Sequence, residues 1–333
     1  MIALELLFFL VVILLASEVF VNALEHLGER LGISEGVTGS IFAAVGTALP
    51  ETIVPLLAIF AGTQNQRINE EIGVGAILGA PLMLSTLSLC LMAFSVWPHR
   101  GAKGHLRPER SGLTRDLNFF LAAFALATAA LFVPHETAGI RAVLGFVMVM
   151  IYVFYLFMTL KASAKLVEAG HGTEAESPMW LSRLGLPTNW FSIILQLGIG
   201  LALLVGGAKG FIYGIEQAAP LLGISALILS LMIVPVATEL PEKVNSIQWI
   251  RRGKDTLAFG NITGAMVFQG TLLPAIGILL TPWAPQKAVF AGVVITLLAA
   301  AWLRFMLSRG QLHVWHLGVN GALYASYLAI VLI

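Results

Sequence analysis

Two carboxylates and a proline interrupt an apolar segment that is otherwise long enough to cross a membrane. The segment runs from Leu221 to Ile250 and contains Ala-Thr-Glu-Leu-Pro-Glu at positions 237–242. A charged side chain at the centre of a bilayer costs about 2.5–3.5 kcal/mol, and a proline removes one helical hydrogen bond. Because lipid offers no hydrogen-bond partners, we expect such a segment only where it lines a cavity inside a helical membrane protein.

The same motif occurs a second time, as Gly-Thr-Ala-Leu-Pro-Glu at positions 46–51. An offset of 191 residues aligns Glu51 with Glu242. Thr47 and Thr238 align at the same offset, and a Leu-Gly-Ile-Ser sequence precedes both motifs. Internal duplication of a membrane chain is typical of transporters.

The composition is that of a polytopic membrane protein. Of the 333 residues, 58% are hydrophobic and 11% are charged, and the mean hydropathy is +0.89, which excludes an ordinary soluble domain. Ten apolar runs have the roughly 20 residues that a span needs. The first run has no basic leading region, so we expect it to be kept as a span. The runs are 1–24, 36–61, 70–96, 116–134, 138–161, 189–214, 221–250, 256–281, 287–308 and 312–333.

Basic residues between the runs predict the orientation. If the amino terminus faces outside, fourteen Lys and Arg residues fall in inner loops and three in outer loops. Cytoplasmic loops carry the excess of Lys and Arg, so both termini are expected outside. The inner set is Arg30, Arg100, Lys103, Arg107, Arg110, Arg115, Lys161, Lys165, Arg183, Arg251, Arg252, Lys254, Arg304 and Arg309, and the outer set is Arg67, Arg141 and Lys287.

A polar segment at 165–188 separates two groups of five spans. An odd number of spans in each group makes the second group enter the membrane in the opposite sense to the first. The predicted fold class is therefore an all-α membrane protein of ten transmembrane helices, arranged as two inverted five-helix repeats. We expect the first repeat at 1–164, a cytoplasmic join at 165–188 and the second repeat at 189–333.

The motif residues favour a site for a hard cation. Thr47 and Thr238 lie one helical turn before Glu51 and Glu242 and on the same helix face. Carboxylate, hydroxyl and free carbonyl oxygens are the ligands that Ca²⁺ and Na⁺ prefer. If the repeat brings the two glutamates together, their charges repel unless a cation or proton lies between them. Protonated glutamates that only pack helices are the alternative interpretation.

Both motifs, each followed by a glycine-rich helix, resemble the two alpha repeats of the calcium/cation antiporter superfamily, which includes prokaryotic sodium/calcium exchangers. The resemblance implies that Glu51 and Glu242 are the central ligands and that Thr47 and Thr238 are auxiliary ligands. It also implies that the opening helices of the two halves slide across the rest of the protein. The glycines themselves, such as Gly75, favour close helix packing.

Other positions are less regular when set against the family pattern. The resemblance implies that the carbonyls of Ala44 and Pro235 complete sodium sites. Glu239 stands where the family has a small hydroxyl residue, and Gln269 stands where it has Asn or Asp; both are candidate metal ligands. Gln269 is equally consistent with an interhelical hydrogen bond. With fewer oxygen ligands, proton coupling becomes an alternative to sodium coupling.

Glu239 is followed four residues later by Lys243. At this spacing, with the acid first, the two side chains can form a structural ion pair along one helix face. In the alternative interpretation, Lys243 is a tethered cation beside Glu242 that replaces a bound ion.

The predicted function is secondary active antiport of Ca²⁺ against Na⁺ by alternating access, and an H⁺-coupled divalent-cation exchanger is the alternative. Paired broken helices in an inverted repeat favour an antiporter over a cation channel. No filter-like loop, which a channel would need for selectivity, is visible in the sequence. No metal-binding His pair or Ser/Lys nucleophile indicates an enzyme, and we expect no cofactor. The expected partners are the lipid bilayer and inorganic cations, with no nucleic acid and no obligatory protein partner. The expected location is a prokaryotic cell membrane.

Four tryptophans fall near the ends of the apolar runs. Trp is enriched at both membrane–water interfaces, so we expect these side chains to act as interfacial anchors. They are Trp97, Trp180, Trp190 and Trp283.

Overall fold

A computed structural model describes residues 2–31, 49–167 and 177–333, and this part of the chain is mostly helical. Its helices are α1 (Ile2–Arg30), α2 (Leu49–Ala61), α3 (Gln66–Met83), α4 (Leu89–Arg100), α5 (Arg110–Ala130), α6 (Ala138–Val167), α7 (Trp180–Arg183), α8 (Trp190–Leu222), α9 (Ala226–Thr238), α10 (Leu240–Arg251), α11 (Asp255–Leu280), α12 (Lys287–Ser308) and α13 (Val314–Leu332). Two short strands, β1 (His105–Leu106) and β2 (Leu312–His313), pair antiparallel.

Seven helical stretches of the described chain are long and apolar enough to cross a membrane. They are Ile2–Leu27, Gln66–Arg100, Ala138–Thr159, Trp190–Leu222, Asp255–Leu280, Lys287–Ser308 and Val314–Leu332. Two shorter apolar helices, Pro50–Ala61 and Ala226–Val236, fall within predicted spans. The predicted run 116–134 corresponds to α5, which does not meet this measure. The protein is therefore a helical integral membrane protein.

Side-chain caps determine where four of the helices begin. A capping oxygen accepts a backbone N–H group that the first helical turn leaves unpaired. The caps are Asn65 for α3, Glu109 for α5, Asn189 for α8 and Ser225 for α9. At Glu109, in the loop before α5, hydrogen bonds from the backbone N–H groups of Gly112 and Ser111 lower the pKa of the carboxyl group.

A π-helical turn at Leu84–Ser88 joins α3 to α4 in one continuous 35-residue stretch. The buried amide of Asn320 in α13 donates to the carbonyl of Ser85 in this turn (2.7 Å). The same amide nitrogen donates to the carbonyl of Ala299 in α12 (3.1 Å). Asn320 therefore ties the widened turn to two helices near the carboxyl terminus.

Buried apolar side chains form two cores. The first core draws mainly on α3 to α6 and α11 to α13, and it includes Phe120 and Tyr327. The second core joins α1, α2, α8 and α9 with the first half of α3, and it includes Ile13, Val54 and Phe211. The second core therefore contains the opening helices of both predicted halves and the described helix of each motif.

Glycines of α8 bring this helix close to α1. A Cβ atom added to any of four glycines of α8 would lie within 3.0 Å of an α1 side chain. The absence of a side chain at these positions therefore permits the close packing. The residue numbers rise along α8 as they fall along α1, so the two helices run antiparallel. The pairs are Gly200 with Phe20, Gly207 with Ile13, Gly210 with Phe9 and Gly214 with Leu6.

The expected role of interfacial anchor is wrong for Trp283, because its ring is buried within the protein. Its side chain is only 1% exposed, and its indole N–H donates to the carbonyl of Ala127 (3.0 Å). Gly277 makes room for the ring, because a Cβ atom there would clash with it. Trp97 and Trp190, in contrast, are exposed.

Two arginines tie helix ends to neighbouring segments. At the end of α4, the Arg100 guanidinium donates two hydrogen bonds to the carboxylate of Asp255 (2.9 and 3.0 Å). The backbone N–H of Arg107 donates to the same carboxylate (2.8 Å), and β1 pairs with β2 nearby in sequence. Separately, Arg141 donates to the carbonyls of Ile278, Thr281 and Pro282 at the end of α11.

Candidate cation site

The predicted helix break is present at the second motif. Helix α9 ends at Thr238, Glu239 forms a turn, and α10 begins at Leu240. Pro241 lies in the first turn of α10 and has no N–H group, so it cannot bond to the carbonyl of Ala237. Proline is tolerated here because the first N–H groups of a helix have no intrahelical acceptor. The break therefore follows from the local sequence.

Candidate ligands in the described part of the chain are buried. The exposed fractions are 3% for Glu51, 2% for Thr238, 0% for Glu239 and 2% for Gln269. Pro235 is buried as well. A buried carboxylate requires a nearby positive charge or hydrogen-bond donors, or else it becomes protonated. Glu51 and Glu239 are therefore buried at positions where a nearby cation strongly affects whether their carboxyl groups are charged.

The ammonium group of Lys243 lies among these groups. Its Nζ atom is 2.9 Å from the carbonyl oxygen of Pro235 and 3.4 Å from the carboxylate of Glu239. Its third neighbour is the Sδ atom of Met83, at 2.9 Å, on α3. Only 7% of Lys243 is exposed. The ion pair predicted from the spacing is present, and the same ammonium group also reaches a carbonyl that the family resemblance implies as a sodium ligand.

The carbonyl of Pro235 accepts two hydrogen bonds from the protein. The backbone N–H of Glu239 donates to it (3.2 Å), and so does the Lys243 ammonium. The family resemblance implies this carbonyl as a sodium ligand, whereas its two lone pairs are both used by protein donors. The hydroxyl of Thr238 donates to the carbonyl of Val234 (3.2 Å), so its oxygen keeps the capacity to accept or to ligate.

Glu51 lies in the first turn of α2, where the helix dipole favours a negative charge. Helix α2 contacts both α9 and α11, which carry Thr238 and Gln269. Glu242 lies in the first turn of α10, but its side chain is outside the described part of the structure, as is its distance from Glu51. Thr47 and Ala44 also lie outside the described residues.

Gln269 is a neutral candidate ligand on α11. Its amide oxygen Oε1 is buried and has no hydrogen-bond partner among the described residues. Burying an amide oxygen without a donor costs free energy, so a bound cation would relieve this cost. No group of three or more His, Cys, Asp or Glu side chains within the described ranges could hold a metal ion. A cation site here must therefore combine carboxylates with amide, hydroxyl or carbonyl oxygens.

Helix α3 packs tightly against α9 beside the break. A Cβ atom on Gly79 would lie 2.5 Å from the carbonyl oxygen of Leu231 and 2.7 Å from the ring of Pro235. The hydroxyl of Ser230 donates to the carbonyl of Ile72 (2.8 Å). These contacts fix α9 next to Met83 and so position the ammonium group between the two helices.

Two residues of the structure were not singled out from the sequence. Met83 contacts Lys243, and no sequence signal identifies it. Asp116, in α5, is 5% exposed and accepts hydrogen bonds from the hydroxyls of Tyr155 (3.1 Å) and Thr263 (2.8 Å). An acid at the start of the apolar run 116–134 was the available signal. Asp116 therefore joins α5, α6 and α11. The hydroxyl of Thr263, on the second glycine-rich helix, takes part in this structural hydrogen bond.

The chain is similar to known exchangers over most of its length. The sodium/calcium exchanger MaX1 of Methanosarcina acetivorans is 24% identical over 96% of this chain and 95% of its own. The crystal structure of the H⁺/Ca²⁺ exchanger CAX covers 98% of this chain and 82% of that one, with a TM-score of 0.73 and 18% identity. The sodium-calcium exchanger NCX_Mj covers 99% of both chains, with a TM-score of 0.60 and 20% identity. The two solved structures establish the fold.

The profile of the family described as sodium/calcium exchanger protein matches residues 1–161 and 192–333, which include both motifs and every described candidate ligand. The chain therefore belongs to the sodium/calcium exchanger protein family, within the calcium/cation antiporter superfamily.

Proposed function

We propose that the protein is a secondary active antiporter that exchanges Ca²⁺ for Na⁺ across the membrane by alternating access. The observation that carries the proposal is the pair of motifs, in which Glu51 is buried in the first turn of α2 and Glu239 is buried at the break between α9 and α10. Two carboxylates at one site attract one divalent cation or two monovalent cations, but not both at once. Mutually exclusive occupancy of this kind couples the movement of one cation to the opposite movement of the other. The name of the relative MaX1 supports the same substrate pair.

In this proposal the central ligands are Glu51 and Glu242. The auxiliary oxygens come from the hydroxyls of Thr47 and Thr238, the amide of Gln269 and the carbonyl of Ala44. The transported cations are substrates, and the proposal includes no resident cofactor.

We further propose ten transmembrane helices in two inverted five-helix repeats, at 1–164 and 189–333, with a cytoplasmic join at 165–188. The antiparallel contacts between α1 and α8, such as Phe20 with Gly200 and Phe9 with Gly210, support this arrangement. Two inverted halves require their opening helices to run in opposite senses.

Loop contacts support the proposed division of the loops between two sides of a prokaryotic cell membrane, and the excess of Lys and Arg in one set supports the orientation with both termini outside. Loops assigned to the inner side contact one another, through Arg100 with Asp255 and through Arg30 with the carbonyl of Thr188 (2.6 Å). On the outer side, Arg141 contacts the loop at Pro282. None of the contacts just named joins a predicted inner loop to a predicted outer loop.

The opening helices are proposed to move during transport. Helices α1 and α8 contact each other through glycines, and small side chains allow two helices to shift as a pair against their neighbours. Movement of this pair would expose the site alternately to each side of the membrane.

Proton coupling is the alternative, and one observation favours it. The carbonyl of Pro235 is already bonded to Lys243 and to the backbone of Glu239, so one oxygen implied for a sodium site is occupied by the protein. With fewer oxygen ligands, the glutamates could instead exchange Ca²⁺ for protons.

Flux measurements in liposomes test both forms of the proposal. The purified protein is reconstituted, the vesicles are loaded with Na⁺, and Ca²⁺ uptake is measured after dilution into choline medium. We expect rapid uptake that disappears when Na⁺ is equal on both sides. If an imposed pH gradient drives uptake and a Na⁺ gradient does not, the alternative holds. Ca²⁺ entry without any opposing gradient would identify a channel and contradict antiport.

A further inference from the structure

We propose that the ammonium group of Lys243 is a built-in cation, which fills a monovalent-cation position formed by the carbonyl of Pro235 and the carboxylate of Glu239. As a result, each transport cycle moves one monovalent cation fewer than it would if this position were open to mobile ions. The inference deepens the proposed function and rests on it.

The surroundings of the ammonium group match a charged cation. A protonated lysine has three N–H donors, and three acceptor groups surround this one. They are the Pro235 carbonyl at 2.9 Å, the Met83 sulfur at 2.9 Å and the Glu239 carboxylate at 3.4 Å. The carbonyl and carboxylate oxygens are also the atoms that a hard monovalent cation would take as ligands.

The lysine does more than pair with an acid on its own helix. It belongs to α10, but it reaches back across the break to Pro235 on α9 and sideways to Met83 on α3. An ordinary ion pair at this spacing needs only one helix face. The ammonium group therefore lies at the junction of α3, α9 and α10, beside the break.

Comparison of the two motifs indicates that Glu239 and Lys243 belong together as a pair. The offset of 191 aligns Glu239 with Ala48 and Lys243 with Thr52. Between Thr-Ala-Leu-Pro-Glu-Thr and Thr-Glu-Leu-Pro-Glu-Lys, these are the two differences that change charge, and they cancel. Each motif thus contributes one net negative charge.

Two net negative charges remain for transported cations when Lys243 neutralises Glu239. In the proposed site these belong to Glu51 and Glu242. One Ca²⁺ balances them, and so do two monovalent cations. The structure thus assigns an exchange that moves no net charge across the membrane.

The wild-type protein provides the first test. In proteoliposomes driven by a Na⁺ gradient, or by a pH gradient if protons are coupled, a K⁺ diffusion potential is set with valinomycin at inside-negative and inside-positive values. We expect the same initial rate of Ca²⁺ uptake at both potentials. A several-fold difference between them would overturn the inference while leaving antiport established. Absence of any gradient-driven uptake would instead overturn the proposed function.

Binding measurements on variants provide the second test. With Ca²⁺ held at saturation, the thermal stability of purified Lys243→Met is measured in NaCl and in choline chloride of equal ionic strength. We expect Na⁺ to stabilise this variant but not the wild type, because the vacated position accepts Na⁺. The matched control, Glu239→Gln/Lys243→Met, should lose the Na⁺ response. A folded Lys243→Met with no added Na⁺ response contradicts the inference and leaves only a structural ion pair. If the variant does not fold, the wild-type potential measurement decides.

Discussion

The two motif regions reach the same net charge with different residues. Glu51 is the only ionisable side chain in α2, whose sequence contains no Lys or Arg. The second motif has two acids, Glu239 and Glu242, and the base Lys243. The difference indicates that the protein preserves the charge of each half, while the position of that charge and its partners differ. The second half also fixes its break with a side chain, through the bond from Lys243 to Pro235.

The largest effect is expected from neutralising the acids that both halves share. Glu51→Gln and Glu242→Gln should each reduce Ca²⁺ exchange by about 100-fold or more, equivalent to ~2.8 kcal/mol, because one of two charges that attract the cation is removed. Initial uptake in proteoliposomes measures the effect, with Glu70→Gln near the start of α3 as the control. Normal exchange in either motif variant would show that the two acids do not act together.

A large loss of stability is expected when the buried pair of the second half is split. Lys243→Met leaves Glu239 without its ammonium partner, and breaking one side of a buried ion pair costs about 3–5 kcal/mol. Unfolding of the detergent-solubilised protein measures the change. The pair Arg67–Glu71 has the same four-residue spacing, but its Arg67 side chain is 87% exposed, so Arg67→Met is the control and should change stability far less. Equal losses in both variants would mean that burial of the second pair is unimportant.

A smaller loss is expected from disturbing the helix contact that supports the break. Gly79→Ala places a methyl group against the carbonyl of Leu231 and the ring of Pro235. Overpacking of this kind costs about 1–3 kcal/mol. In Gly139→Ala, the added methyl group meets no heavy atom within 4 Å among the described residues, so this control should be neutral or slightly stabilising. Unfolding midpoints distinguish the two, and equal midpoints would argue against a tight contact between α3 and α9.

The smallest effect is expected from making the two halves alike. Glu239→Ala/Lys243→Thr gives the second motif the residues of the first, and it removes one positive and one negative charge together. We expect exchange to stay within about threefold of wild type, or ~0.7 kcal/mol. Loss of exchange as severe as that of Glu51→Gln would show that the pair does more than balance charge.

The features of the site that could be predicted are those set by local sequence. The break at Glu239 follows from a proline and two acids inside an apolar run, and the pair with Lys243 follows from the four-residue spacing on a helix. The family resemblance rests on the same short motifs. The helical membrane fold could be predicted as well, because the lengths of the apolar runs are also a local property of the sequence.

Contacts between distant segments could not be predicted in this way. The bond from Lys243 to Met83 joins residues 160 positions apart, and the bond from Thr263 to Asp116 joins residues 147 apart. Trp283 was expected at the interface because it lies near a span end, yet Gly277 allows the chain to bury it. Such contacts depend on which helices pack together, and hydropathy along the sequence carries no information on that choice.

The central claim is that two symmetry-related acids, one from each half, bind one divalent cation together. Thermal unfolding of the purified protein over a Ca²⁺ titration tests it most directly, because a ligand that binds only the folded protein raises its stability. The account predicts that Ca²⁺ raises the unfolding temperature of the wild type, and that Glu51→Gln and Glu242→Gln each abolish the rise although both remain folded. A rise of wild-type size in either variant would contradict it.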